Sequence, residues 1–429
     1  MKHAVTGWAP ECHRKENEMR NIRNESSLLA PGTTFIAEQK VGFRRHSAPA
    51  RRAFFCWIAL LLSGVAVFGQ TNNFQPNPLA GAGKLLVHSK FGGQIFGFDT
   101  DQSGTEGLLS EAGGSVNAAV ETFDQKTGKI IKVVTKTETQ DDFITLGIVG
   151  DSVGLIEHEH VEDGFVVKRT FKTLNPLDSN EFTGDWTPPI GSEHIIMPTG
   201  VSRSQGVPNV AVFAYDNSGQ FIPYVFSSKV AANRFGPVVK ITDSTNFGSV
   251  PPPIAYDSQT NQAFLGGGVG CFGCLPVIGV VDLAQGTFTE FTGVGYGFIN
   301  GAAIDSRDGI ACTTTEDDAS VEFYDLKAET GFTVELPNSG GQQFYSGADV
   351  EFDRIHKLFL IAQPNSSSSS GSSIYVYDTQ GDLQETLNGF SFSDAFNVVP
   401  VHIALNPSKR SGFVDGPDSG VTEIQSFTY

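Results

Sequence analysis

One short pattern recurs along this chain of 429 residues: an apolar strand that ends in Asp, a few turn residues, and then another strand. A repeated unit of this kind cannot bury its own faces, so it must stack against copies of itself, and frequent short strands favour a radial β-propeller. The copies of this first set are Ile95–Asp99, Val212–Asp216, Ile278–Asp282, Val321–Asp325 and Ile374–Asp378. The sequence therefore predicts an all-β chain built from four-stranded antiparallel sheets.

A second set of repeats is predicted to supply the innermost strand of each blade. Its copies are Val120–Asp124, Ile254–Asp257, Ala302–Asp305, Val350–Asp353 and Ile403–Asn406. A blade needs roughly 40 to 50 residues, so the wide gap before Ile254 hides at least one degenerate blade. The two sets together predict seven blades, with six as the alternative. Because the chain stops on a strand, closure of the ring is expected to use N-terminal residues.

The chain divides into four predicted segments. Residues 1–43 are polar and patternless, which indicates a disordered leader or a start site assigned too far upstream. Residues 44–69 have the organisation of a secretory signal peptide, and residues 70–84 are interpreted as a linker or a ring-closing segment. The β-propeller is expected to occupy residues 85–429.

The signal peptide prediction depends on a basic stretch followed by the apolar run 53–68. That run is shorter than the about 20 apolar residues of a membrane span, so cleavage before Gln70 is expected to leave no span. Arg51 and Arg52, followed after one residue by two Phe, resemble the twin-arginine export signal, whereas the Leu-rich apolar run favours the general pathway. The expected location is secreted, periplasmic or in the cell envelope.

The charge of the predicted mature chain excludes two classes of partner. Residues 70–429 contain 19 Lys or Arg and 42 Asp or Glu, which gives a net charge of −23. A surface this acidic repels nucleic-acid phosphates and anionic lipid headgroups. The expected partner is therefore a protein or a small molecule that is cationic or neutral, with no nucleic acid.

The segment Leu85–Ser89, followed by Gln94–Thr100, resembles the YVTN-type repeat of bacterial exported and lactonase-like propellers. The resemblance covers single blades and depends on the order of strands and turns, without a catalytic signature. It implies a propeller that works outside the cytoplasm. It leaves the chemistry open, because unrelated functions occur on propellers.

Three polar residues interrupt the small residues of the predicted innermost strands: Asp349, Glu351 and His402. Strand alternation places Asp349 and Glu351 on one face, and the repeat places His402 at the same height in the next blade. Two carboxylates and an imidazole near the central channel are a combination that binds a divalent cation or performs acid–base chemistry. The alternative is a water-filled channel with an ordinary Asp–His hydrogen bond.

Two further segments contain residues of metal-binding type. Glu157–His160 places His158 and His160 on one strand face, where they are weak candidates for a transition-metal site without an identifiable third ligand. The alternative is the alternating charge of an exposed outer strand. Asp99–Gly104 has the oxygen-rich start of a calcium loop, but equivalent Asp residues in other repeats favour turn capping by Asp99.

The cysteines predict a local disulfide. Cys271 and Cys274 form a C-x-x-C pair in a Gly-rich loop, which in an oxidising compartment is expected to close into a disulfide. Cys312 lies within an apolar strand and is expected to be a buried free thiol.

Besides a purely structural role in the cell envelope, two functions remain open on these observations. The first is an exported propeller that acts as a ligand-binding or protein-binding scaffold without catalysis. The second is a lactonase-like or other metal-assisted hydrolase with a site around Asp349, Glu351 and His402, for which the cofactor would be a divalent metal.

Overall fold

The structure is a computed structural model, and it describes most of the chain from Gln75 to Tyr429. The described residues are 75–149, 153–162, 165–175, 177, 182, 184–186, 200–201, 209–216, 222–229, 234–241, 253–257, 260–267, 277–294, 299–315, 320–337, 349–364, 372–392, 401–418 and 421–429. They belong to the compact unit Asn72–Tyr429. The predicted leader and signal peptide lie outside the described residues. Short apolar alternations separated by turns form strands here, and the predicted all-β propeller is confirmed.

The strands of the described residues pair into seven four-stranded antiparallel sheets. Strand β1 (Gly81–His88) belongs to sheet 7. Sheet 1 comprises β2 (Gln94–Thr100), β3 (Glu106–Ala112), β4 (Ala118–Asp124) and β5 (Ile130–Thr137). Sheet 2 comprises β6 (Asp142–Val149), β7 (Val153–Glu162), β8 (Phe165–Leu174) and β9 (Gly184–Trp186). Sheet 3 comprises β10 (Gly200–Val201), β11 (Asn209–Asp216), β12 (Ile222–Lys229) and β13 (Arg234–Lys240).

The remaining four sheets follow in chain order. Sheet 4 comprises β14 (Ile254–Asp257), β15 (Gln262–Gly267), β16 (Val277–Asp282) and β17 (Thr287–Thr292). Sheet 5 comprises β18 (Ile299–Asp305), β19 (Ile310–Thr315), β20 (Ser320–Asp325) and β21 (Thr330–Glu335). Sheet 6 comprises β22 (Asp349–Asp353), β23 (Leu358–Gln363), β24 (Ser372–Asp378) and β25 (Leu383–Phe390). Sheet 7 comprises β26 (Ile403–Asn406), β27 (Ser411–Asp418), β28 (Val421–Thr428) and β1, with a 3₁₀ turn at Pro407–Lys409.

The first strand of a sheet lies innermost. First strands of neighbouring sheets contact one another: β2 contacts β6 and β26, β18 contacts β14 and β22, and β22 contacts β26. Gly301 in β18 shows how close this approach is, because a Cβ atom there would lie 2.8 Å from the backbone nitrogen of Val350 in β22. Strands that crowd around a centre and sheets that radiate from it define the propeller.

Sheet 7 closes the ring by combining the two ends of the described chain. β1 pairs antiparallel with β28, with Gly81 opposite Thr428 and His88 opposite Glu423, and it forms the outermost strand of the sheet. β2 in sheet 1 contacts β26, β27 and β28 in sheet 7. The prediction that N-terminal residues complete the last sheet is therefore confirmed, and the pairing covers the edge that β28 would otherwise expose.

Within each set of repeats, the copies occupy different strand positions in their sheets. Val120–Asp124 lies in β4, the third strand of sheet 1, so the prediction that it is an innermost strand is wrong. In the first set, Ile95–Asp99 lies in a first strand, Val212–Asp216 lies in a second strand, and the other copies lie in third strands. First and third strands of an antiparallel sheet run in the same direction and end in turns at the same end. Both positions therefore favour a terminal Asp, and the pattern cannot distinguish them.

Aromatic side chains fill the space between sheets. Phe323 of sheet 5 meets Phe359 and Tyr377 of sheet 6 edge-on, with ring centroids 5.7 Å and 6.1 Å apart. All three side chains are fully buried or nearly so. Each burial of this kind contributes about 1.5–3 kcal/mol, so the inter-sheet aromatics are a main source of stability.

The turns after first and third strands share one end of the propeller, called the turn end below. Asp282 shows the local chemistry: its Oδ1 accepts the backbone N–H groups of Ala284 and Gln285, both at 2.9 Å. The same capping follows the third strands of sheets 1, 5 and 6, at Asp124, Asp325 and Asp378. These Asp residues explain the recurring motif, because a side-chain carboxylate fixes the turn that a tight hairpin needs.

Candidate functional site at the entry end

The first strands begin at the opposite end of the propeller, called the entry end below, and the predicted channel residues lie there. Asp349 is the first residue of β22 and is half-buried. Its Oδ1 accepts the backbone N–H of Val350 at 2.9 Å, and its Oδ2 accepts that of Ile403 in β26 at 2.8 Å. The side chain of Asp349 in sheet 6 therefore binds the backbone of sheet 7.

His402 is oriented by a carboxylate that the sequence interpretation did not identify. Its Nδ1 lies 3.2 Å from Oδ2 of Asp415 in β27, and its backbone N–H donates to Asp415 Oδ1 at 2.6 Å. Asp415 is fully buried, whereas the His402 side chain is 23% exposed. A partly exposed imidazole held by a buried carboxylate has a fixed ring orientation, as a positioned general base requires.

The predicted group of Asp349, Glu351 and His402 is divided by β26. The Ile403 side chain packs with sheet 6, whereas Ala404 packs with residues of sheet 1. Because side chains alternate along a strand, His402 points to the same side as Ala404, away from the side that Asp349 contacts. Glu351 is half-buried on the Asp349 side of β22. Among the described residues, no group of three His, Cys, Asp or Glu side chains is placed to hold a metal ion.

A second pair of buried carboxylates holds the segment that enters sheet 1. Glu111 accepts the backbone N–H groups of Phe91 and Gly93, at 3.3 Å and 2.7 Å. Glu121, on the neighbouring strand, accepts that of Lys90 at 2.9 Å. Both glutamates are fully buried. They fix residues 90–93, which connect the ring-closing strand β1 to the innermost strand β2.

Glu121 has an unusual acidity for a carboxyl group. Burial raises its pKa from 4.5 to about 7; the hydrogen bond from Lys90 opposes this rise, and the negative charge of Glu111 adds to it. Its Oε1 atom has no hydrogen-bond partner among the described residues. This carboxyl therefore exchanges its proton near neutral pH, which distinguishes it from an ordinary surface glutamate.

His158 and His160 share a third side chain, Asp141. Asp141 Oδ2 lies 3.2 Å from His158 Nε2, and its Oδ1 lies 2.7 Å from His160 Nδ1. Burial opposes ionisation of Asp141, but hydrogen bonds from both histidines and from the Val161 N–H lower its pKa below the usual value. His158 also stacks on Phe143, with centroids 4.7 Å apart. The sequence interpretation missed Asp141 because it lies on the loop before β6, far from the histidines along the chain.

The glutamates beside these histidines are buried, so the interpretation of Glu157–His160 as an exposed outer strand is wrong. The segment lies in β7, the second strand of sheet 2. Arg169 of β8 forms ion pairs with Glu157 at 3.3 Å and with Glu159 at 2.7 Å. The alternation of charge therefore reflects a buried ionic cluster on one face and the histidines on the other. Buried acids of this kind persist when a basic partner offsets their desolvation.

The predicted calcium loop is closed by its own side chains. The sequence predicts that Asp99 caps the turn, but its Oδ2 accepts the Ile148 N–H of sheet 2 at 2.7 Å. The turn is held by Asp101, which accepts hydrogen bonds from Ser103, Thr105 and Gln125. The correction follows from position: Asp99 precedes the end of β2 and faces the next sheet, whereas Asp101 lies within the turn.

The cysteine predictions divide between tested and untested positions. Cys271 and Cys274 lie outside the described residues, so their disulfide stays a prediction. Cys312 is a buried free thiol, as expected, and burial raises its pKa well above the usual value. Among the described residues, no helix is long and apolar enough to cross a membrane.

Comparisons with known proteins support the architecture alone. No protein-family model matches the sequence, and no curated protein matches it. Among solved structures, a chain in the crystal structure of the mitotic checkpoint complex aligns with a TM-score of 0.51 over 92% of this chain and 99% of that chain. The identity is 12%, so this likeness shows a shared β-propeller fold.

Proposed function

We propose that this chain is an exported β-propeller that binds a protein partner in the periplasm, the cell envelope or the extracellular space. A chain of the mitotic checkpoint complex, which is an assembly of proteins, has the same β-propeller fold. The net charge of −23 on residues 70–429 favours a basic or neutral partner surface. Export is supported by the basic and apolar pattern of residues 44–69.

One observation carries this proposal: the carboxylate side chains at the entry end form hydrogen bonds with the backbone of the propeller itself. Asp349, Glu111 and Glu121 each accept backbone N–H groups of a neighbouring segment. A carboxylate used in this way fixes the position of a strand and stabilises the ring. In this proposal, these contacts hold the strands of the ring in place, and the ring presents its surface to the partner.

Cross-linking in cells that export the full-length protein would test this proposal. We expect one or a few proteins to be cross-linked, and the purified partner to bind the purified propeller with a defined stoichiometry. A mature N terminus near Gln70 is expected on the exported protein. A start before Ala53, or the absence of any partner that binds after purification, would contradict the proposal.

A second function, lactonase-like or other metal-assisted hydrolysis, is favoured by the Asp415–His402 pair. An imidazole oriented by a buried carboxylate is the usual arrangement of a general base. Calorimetric titration with calcium and zinc, together with a panel of lactones, would detect this function. A stoichiometric metal whose binding is lost in His402→Ala would favour the hydrolase over the scaffold.

A further inference from the structure

The outer edge of sheet 5 is formed by β21. Among the described residues, β21 pairs with β20 and with no strand beyond it. Its six residues are half-exposed or exposed. Alternate backbone N–H and C=O groups along an outermost strand point away from the sheet, where a further strand can pair with them. At about 3.3 Å per residue, β21 offers an edge of roughly 20 Å.

β21 lacks lysine, the residue that most often protects such an edge. The outermost strand of sheet 1, β5, contains Lys132 and Lys136. Lysine on an edge strand opposes pairing with another chain. β21 contains no lysine, and Thr330, Phe332, Thr333 and Val334 favour an extended conformation. The two edges therefore differ in their capacity to accept a strand.

An apolar strip runs along one face of this edge. Phe332 and Val334 lie two residues apart and so share a face. The ring of Phe332 stacks on Phe323 with centroids 5.4 Å apart, yet the residue remains 45% exposed. Gly381 in the neighbouring sheet 6 lies against both residues. An added strand would place every second side chain beside this strip.

Acidic residues mark both ends of β21. Glu329 precedes the strand, Glu335 ends it, and both are exposed. The mature chain as a whole carries a large negative charge. Complementary charge on a partner would therefore lie at both ends of a bound segment, in either strand direction.

From these features we infer that the edge of β21 binds an extended segment of a partner protein by β-strand addition. The bound segment has apolar residues at alternate positions and basic residues at its ends. Backbone pairing supplies the affinity, and the Phe332–Val334 strip with Glu329 and Glu335 supplies the specificity. This inference depends on the proposed function, because it identifies the surface through which the propeller binds a protein.

A synthetic peptide that alternates valine and threonine between two terminal lysines would test this inference. We expect saturable binding to the full chain, measured by fluorescence anisotropy, that weakens between about 50 and 500 mM salt. Hydrogen exchange is expected to slow at alternate amides of Thr330–Glu335. Replacing the terminal lysines with glutamates, or placing a proline in the centre of the peptide, is expected to weaken binding at least about tenfold.

A charge-reversal variant provides the decisive comparison. The variant Glu329→Lys with Glu335→Lys is expected to bind the peptide with terminal lysines about tenfold more weakly than the wild type. It is expected to bind the peptide with terminal glutamates more tightly. The matched control is Glu138→Lys with Glu162→Lys, which changes the net charge equally at two exposed positions, one just after β5 and one at the end of β7. The inference is overturned if both variants lose affinity for the lysine peptide equally, or if neither loses affinity. It is also overturned if the peptide slows amide exchange outside Thr330–Glu335.

The natural partner separates this inference from the proposed function. If a purified partner binds the charge-reversal variant as tightly as the wild type, the partner does not bind at the edge of β21, and the proposed scaffold function stands. If no protein partner binds the wild type, the proposed function fails, whatever the peptide does.

Discussion

The turn end and the entry end of the propeller both depend on acidic side chains, but they place them in different environments. At the turn end, Asp124 and Asp282 are at the surface and fix hairpin turns. At the entry end, Glu111, Glu121 and Asp415 are fully buried and hold segments that lead into first strands. A carboxylate at the surface therefore fixes a turn close to it in sequence. A buried carboxylate holds a segment that is distant along the chain.

The pKa values of Asp124 and Glu121 shift in opposite directions. Hydrogen bonds from the backbone N–H and the hydroxyl of Thr127 lower the pKa of Asp124. Burial raises the pKa of Glu121 to about 7. For these two residues, burial on one side and exposed hydrogen bonding on the other set the direction of the pKa shift, and that direction sets how each contribution to stability depends on pH.

The largest expected effect comes from a turn-end carboxylate that is nevertheless buried. Asp353 accepts hydrogen bonds from Tyr429 Oη at 2.8 Å and from the N–H groups of Ile355 and His356. Asp353→Ala should lower the free energy of unfolding by about 3 kcal/mol, because it leaves a buried Tyr hydroxyl without its acceptor. Chemical denaturation would measure this loss. If Asp353→Ala costs no more than Asp378→Ala at an exposed turn, burial is not the deciding variable.

Glu121 should give the clearest pH dependence. Its pKa is raised on folding, so the folded chain binds a proton more tightly, and this contribution to stability is present below about pH 4.5 and lost by about pH 7. Glu121→Gln removes the penalty of a buried charge. We expect the variant to exceed wild-type stability by about 2 kcal/mol at pH 8 and to match it near pH 4.5. Equal stability at both pH values would contradict the assignment.

An exposed turn carboxylate should contribute less. Asp282→Ala removes the two backbone hydrogen bonds that fix the turn after β16. The expected loss is about 1 kcal/mol, since water replaces the lost acceptor. Thermal unfolding of this variant beside Asp353→Ala measures the ratio of the two effects. A loss as large as that of Asp353→Ala would remove the distinction between the two environments.

The smallest expected effect is that of a surface ion pair between sheets. Lys357 of sheet 6 forms ion pairs with Asp308 and, at 3.5 Å, with Asp305 of sheet 5. Lys357→Ala should change stability by less than about 1 kcal/mol, and salt should reduce the difference further. A larger change that persists at high salt would show that inter-sheet charge, rather than burial, holds this end together.

The sequence predicts the propeller because its repeats show the order of strands and turns in six of the seven sheets; sheet 2 contains no copy from either set. Tight hairpins require capping residues at fixed positions, so Asp282 and Asp325 are visible as a pattern. The same physics limits the prediction: Asp124 and Asp305 end strands at different positions in their sheets, yet both precede the same type of turn. Only pairing between strands distinguishes an innermost strand from a third one.

The candidate site was predicted less completely. His402 and Asp349 were found because they interrupt small residues on first strands. Asp415, Glu111 and Asp141 were missed, since each acts on a segment that is distant along the chain and has no fixed spacing from it. An acidic residue within an apolar strand, such as Glu111 after Leu108 and Leu109, is the signal that identifies such a group.

Amide hydrogen exchange at Ile403 tests the central claim most directly. The claim is that the polar residues at the entry end hold strands in place, and Ile403 donates its N–H to Asp349 across two sheets. In Asp349→Ala this amide should exchange at least about tenfold faster, while amides in the centre of β23 keep their protection. Unchanged protection at Ile403, together with the loss of a bound metal or ligand, would contradict the claim and favour a chemical role for Asp349.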